Sequence, residues 1–157
     1  MNNYSDNNAN KSDYKIYGLI GFGLMAYHYY YHRTDSYSII MLLGYTCLTL
    51  AFVPWYFKNE ITHSANSEIP DKNKEKLMKK LGYTLITFYY LYKITYKVDL
   101  HLILGIIAHG SYLTQWKKYS YVLLLAYYTE SLFHGYGNIG LTSIMLYYYF
   151  IIQNKNH

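Results

Sequence analysis

The stretch from Tyr37 to Phe57 contains no charged side chain, and nothing else in the sequence restricts the fold so strongly. A helix of about 20 apolar residues matches the roughly 30 Å hydrocarbon core of a bilayer. Five further apolar runs flank it, at Ile16–Tyr31, Leu81–Tyr96, Val98–Trp116, Tyr119–Tyr136 and Ile139–Ile152. Together they predict an all-α fold, a polytopic membrane helix bundle with six transmembrane helices. Several runs fall short of 20 residues, which implies a thin bilayer or end residues that reach to the headgroups. Lys93 interrupts the third run near its end, where a lysine can snorkel. If residues 81–96 lie on the membrane surface instead, five spans remain and the C-terminus changes sides.

Composition agrees with this reading. Charged residues make up 15% of the chain, against about 25% in a soluble globular domain. Mean hydropathy is only -0.09 although 52% of residues are hydrophobic, because the chain holds 24 tyrosines whose hydroxyls score as polar. The net charge of +5 would suit a nucleic-acid partner in a soluble protein. Here the lysines gather in loops beside the apolar runs, so topology accounts for them and no nucleic acid is expected. The single cysteine, Cys47, lies inside an apolar run and reads as a packed small hydrophobe.

The distribution of positive residues orients the bundle. Lys11, Lys15, Lys58, Lys72, Lys74, Lys76, Lys79, Lys80, Lys117, Lys118 and Lys155 fall on one side of a six-span model, and Arg33, Lys93 and Lys97 on the other. Positive loops stay cytoplasmic, so an integral membrane protein with both termini cytoplasmic is expected. Residues 1–13 are rich in asparagine and poor in apolar groups, and read as a disordered polar tail. Residues 14–97 form a first three-helix unit with a basic cytoplasmic loop at 58–80, and residues 98–157 a second. Within that loop, residues 71–80 predict a short basic helix leading into the third run, with Glu75 placed to pair with Lys79. Lys72, Lys74, Lys76, Lys79 and Lys80 are candidate contacts for anionic lipid. Asp35 or Ser36 should cap the second helix.

The two units resemble each other. An offset of 82 residues, Lys15 onto Lys97, superposes Gly23 on Gly105, Ala26 on Ala108, Tyr30 on Tyr112, Tyr37 on Tyr119, Ser38 on Ser120 and Tyr45 on Tyr127. The third helices match at an offset of 58, Gly82 onto Gly140 and Thr84 onto Thr142. An odd number of spans per unit inserts the copies in opposite senses, and the charge bias reverses accordingly, as an inverted repeat requires. Such repeats place a site near the midplane between their halves.

Glu130 is the acid deepest in an apolar run, with His134 one helical turn further on the same face and His109 in the preceding helix. An ionisable group is costly in lipid, so these three are the candidate translocation or proton-relay residues. A structural alternative makes them a hydrogen-bonded clamp between helices. His28 and His32 share a face of the first helix but lack the further ligands of a metal site. No cofactor is called for; haem held by two histidines, or a metal, is the weaker reading. No catalytic motif appears, so a non-enzyme is the stronger reading and a membrane-embedded redox or lipid enzyme the weaker one. The function expected is a small solute or ion translocator. The alternative is a non-catalytic membrane scaffold or assembly subunit, viral or organellar, whose partners are the lipid bilayer, other copies of itself or other membrane subunits. The tyrosine clusters Tyr27 with Tyr29–Tyr31, Tyr89 with Tyr90 and Tyr92, and Tyr147–Tyr149 suit an interfacial aromatic belt, with a ring-lined path as the alternative. Gly18, Gly21, Gly23, Gly105 and Gly110 are candidates for close helix approach.

Overall fold

The computed structural model describes residues 6–32, 35–61 and 72–133, together with Thr142. The fold is all-α: α1 is Asp6–Tyr31, α2 Ser38–Ile61, α3 Lys72–Ile94, α4 Leu100–Ser111 and α5 Ser120–Phe133, and a 3₁₀ turn at Gln115–Tyr119 joins α4 to α5. No strand occurs among the described residues. Each helix packs against the next in sequence. α1 takes in residues 6–13, which composition assigned to the tail. α3 runs without a break through the basic segment and the third apolar run. Of the sixth run, only Thr142 is described, and it is buried. α2 and α5 both begin at the serines that the 82-residue offset pairs.

Local chemistry fixes the helix ends. The Asp35 carboxylate accepts the Ser38 N–H at 2.8 Å, and the Ser38 hydroxyl donates to the Asp35 carbonyl at 2.7 Å, so Asp35 performs the capping. The same carboxylate is ion-paired with Lys93. Lys93 therefore ties the start of α2 to the end of α3. Its hydrogen bond also holds the Asp35 carboxyl below the ordinary carboxylate range. At the opposite end, Lys79 and Glu75 pair at 2.7 Å along the first turns of α3.

The closest helix crossing lies between α2 and α3. A Cβ added at Gly44 would stand 2.8 Å from Ile86 Cγ1, and one at Gly82 would stand 2.7 Å from Leu48 Cγ and 2.8 Å from the Gly44 carbonyl oxygen. Only glycine fits at this crossing. Of the glycines expected to bring helices close, Gly23 and Gly110 have room, their Cβ atoms meeting Thr49 and Thr87 at ordinary distances of 3.8 and 3.7 Å, whereas Gly105 is tightly packed, its Cβ standing 3.1 Å from ring carbons of Tyr127 and Tyr90. Around the crossing, Met41, Leu48, Phe52 and Ile86 are buried.

The interior also holds six tyrosines, Tyr45, Tyr83, Tyr89, Tyr90, Tyr127 and Tyr128. Apolar side chains also line the outer faces, with Ile39, Leu43 and Leu50 exposed on α2, Leu77, Leu81, Phe88 and Leu91 on α3, and Ile107 and Val122 on α4 and α5. On α2 and α3 their spacing of three, four or seven residues traces one stripe along the helix. Among the described residues, no helix is long and apolar enough to cross a membrane.

Candidate functional site

One face of α4 carries His101, Gly105, Ala108, His109 and Tyr112, spaced so that they line up along the helix. Asp99 starts the helix by accepting the His101 N–H at 3.1 Å, which seats His101 in the first turn. Across from it, α5 presents Tyr127 and Glu130, one turn apart. The His101 Nδ1–H donates to Glu130 at 2.5 Å, with the two side chains 14% and 21% exposed. With Nδ1 so engaged, the ring turns Nε2 to the Tyr127 hydroxyl, 3.4 Å away. Tyr127 in turn shares a short hydrogen bond with the Tyr90 hydroxyl of α3. A chain Glu130–His101–Tyr127–Tyr90 thus runs from a partly exposed carboxylate into the core.

Gly105 makes that chain possible. A Cβ there would stand 3.1 Å from ring carbons of both Tyr127 and Tyr90. The bare backbone lets the two rings meet against α4.

His109 sits deeper and is fully buried. Its Nδ1–H donates to the Gly105 carbonyl at 2.7 Å, and its Nε2 has no hydrogen-bond partner among the described residues. A buried polar atom left in that state costs about 1 to 3 kcal/mol. Rings surround it: Tyr127 at 5.0 Å between centroids, Tyr90 at 5.6 Å, Tyr83 at 6.0 Å and Tyr128 at 6.1 Å. Beyond it, Tyr83 packs on Tyr112 at 4.3 Å, and the Lys117 ammonium lies 4.6 Å from the centre of the Tyr112 ring. A column of polar aromatic groups therefore extends from Glu130 at one end of α4 to Lys117 at the other. Beside the column, the Tyr45 and Tyr128 hydroxyls meet at 3.2 Å and link α2 to α5.

The expected trio is only partly assembled. Glu130 is bonded to His101, not to His109, although both histidines touch the Tyr127 ring. His134 lies outside the described residues. His101, Tyr127 and Tyr90 went unrecognised in the sequence. The signal available was the face His101–Gly105–His109–Tyr112, aligned with Asp99 as its cap. Of the lysines expected at lipid, Lys74, Lys76 and Lys80 are exposed, Lys79 is engaged by Glu75, and the Lys72 side chain lies outside the described residues. The rings of His28 and His32 lie 4.9 Å apart, and among the described residues no three His, Cys, Asp or Glu side chains gather as metal ligands.

Comparison with known proteins finds no match: no family model, no curated protein and no solved structure resembles the chain.

Proposed function

We propose that this chain is a small membrane-embedded helix bundle that moves protons or a small cation along the column from Glu130 to Lys117. The observation that carries the reading is the chain Glu130–His101–Tyr127–Tyr90, buried within helices whose outer faces are aliphatic. His101 and the two tyrosine hydroxyls can each donate and accept, and Glu130 accepts as a carboxylate and donates once protonated, so a proton taken up at one end can be matched by a shift at every link. The partly exposed Glu130 is the exchange point. His101 relays, its two ring nitrogens facing different partners. His109 holds, among the described residues, a bare acceptor further along.

Bilayer placement is supported by the arrangement of apolar and polar groups. Tyr45, Tyr83, Tyr89, Tyr90, Tyr127 and Tyr128, which lower a helix's averaged hydropathy, lie inside, whereas leucine, isoleucine, valine and phenylalanine side chains face outward on α2 to α5 and the exposed Tyr27, Tyr30 and Tyr31 gather at the end of α1. Contiguous exposed apolar surface on this scale is unfavourable in water and natural against lipid. Lys74, Lys76, Lys80, Lys117 and Lys118 collect at one end, which we assign to the cytoplasmic face together with both termini.

A second reading, a non-catalytic scaffold, is favoured by the hydroxyl pairs Tyr45–Tyr128 and Tyr90–Tyr127, which join non-adjacent helices as a clamp would. One experiment separates the two. Protein retained by alkaline-washed membranes is reconstituted into liposomes loaded with a pH-sensitive dye. The translocator reading expects proton flux that Glu130→Gln reduces at least tenfold with little loss of helicity. Equal flux from the variant and the wild type, or none above protein-free liposomes, favours the scaffold.

A further inference from the structure

We propose that an apolar groove between α4 and α5 binds one acyl chain of an anionic bilayer lipid, whose phosphate is held by Lys117 and Lys118. This inference rests on the membrane reading above. The groove has a volume of about 620 Å3, and its walls are formed chiefly by Ile107, Trp116, Tyr119, Val122 and Leu123. Two polar residues also line it, but the Ser111 hydroxyl donates to the Ala108 carbonyl at 2.7 Å and the Thr114 hydroxyl to the Ser111 carbonyl at 3.0 Å. With both engaged by backbone, the groove gives a polar solute little to bond and suits a hydrocarbon chain.

Charge specifies the headgroup. Lys117 and Lys118 stand between Trp116 and Tyr119 on the 3₁₀ turn, with the Lys118 ammonium 4.9 Å from the centre of the Tyr119 ring. Lys76, Lys79 and Lys80 of α3 lie close enough to act on Lys117. Its ammonium is held below the ordinary lysine range, first by burial and then by those three charges. Glu75 compensates one of them, Lys79. An anion at the groove mouth would relieve the remaining repulsion. Trp116 and Tyr119 are amphipathic rings of the kind that settle at headgroup level, which places the phosphate beside the lysines and the chain below them.

The test uses the full chain in detergent micelles, with Trp55→Phe leaving Trp116 as the emitter. Phosphatidylglycerol or phosphatidylcholine carrying brominated acyl chains is titrated in, and quenching of Trp116 is followed. Half-quenching is expected at a mole fraction about twenty-five-fold lower for phosphatidylglycerol, each of the two lysines contributing about a factor of five. Lys117→Gln with Lys118→Gln should abolish that preference, and Ile107→Phe, which fills the groove, should weaken quenching by both lipids. Equal quenching by the two headgroups overturns the proposal, as does displacement of the lipid by millimolar inorganic phosphate, which would indicate a free-anion site. A chain retained in alkaline-washed membranes that quenches equally with both lipids loses the groove alone. A chain released from them that still prefers phosphatidylglycerol loses the membrane reading and keeps the groove.

Discussion

Two helix seams in this molecule use glycine for opposite purposes. Between α2 and α3, Gly44 and Gly82 bring backbone against backbone, and the surrounding side chains are Leu48 and Ile86. Between α4 and α5, Gly105 gives its space to two phenol rings, and the groups gathered there are His101, His109, Tyr90, Tyr127 and Glu130. The first seam is dry and held by dispersion. The second gathers exchangeable polar groups. The same residue type thus marks a structural joint in one place and a chemical site in the other, and its neighbours decide which.

Substitutions at the two glycines are the strongest way to break this comparison. Gly82→Ala places a methyl against the Gly44 carbonyl oxygen, a backbone atom that cannot yield, so stability should fall by up to about 3 kcal/mol. The melting temperature in detergent should drop, while flux per folded molecule stays at the wild-type level. Glu130→Leu comes next, at about 2 kcal/mol, because it leaves the His101 N–H without its carboxylate in a largely buried site; Glu130→Gln, which keeps an acceptor, should cost less than half of that. Thermal unfolding of the two variants side by side reads the difference.

Gly105→Ala should behave in the opposite way to Gly82→Ala. The atoms it meets are ring carbons that can move, so the loss is about 1 kcal/mol, close to one hydrogen bond. Its main effect should be on flux, through separation of the Tyr90 and Tyr127 hydroxyls. The smallest effect lies outside both seams, at the Asp35–Lys93 pair. The Asp35 carboxyl titrates below its ordinary value in the folded chain, so its contribution is complete above that ordinary value and is lost as pH falls through the depressed one. Both partners are about a third exposed, so this amounts to no more than about 1 kcal/mol after screening. The melting temperature of Asp35→Asn should therefore be lower near neutral pH and converge with that of the wild type in strong acid.

Much of the helical framework was legible in the sequence, because long uncharged runs, Asp35 before α2 and the Glu75–Lys79 spacing are local signals. The inner and outer tyrosines were not separable, since tyrosine suits both an interfacial belt and a hydrogen-bonded core. Tyr27, Tyr30 and Tyr31 are exposed, whereas Tyr89 and Tyr90 are buried, and composition alone treats the clusters alike. Sequence proximity suggested His134, which lies outside the described residues, as a partner for Glu130; antiparallel packing of α4 and α5 adds a partner that proximity could not show, bringing His101 from the start of α4 beside the end of α5. The Gly44–Gly82 crossing was missed because a close approach depends on which faces meet, and neither helix specifies that by itself.

The central claim is that the column relays protons instead of merely clamping helices, and Tyr127→Phe tests it most directly. That change removes a single hydroxyl between His101 and Tyr90 and keeps the ring that packs on Gly105 and His109. Proton flux should be measured in liposomes at matched protein density, with thermal unfolding recorded on the same preparations. The account predicts at least a tenfold loss of flux with a stability change of about 1 kcal/mol. Wild-type flux through Tyr127→Phe would contradict it.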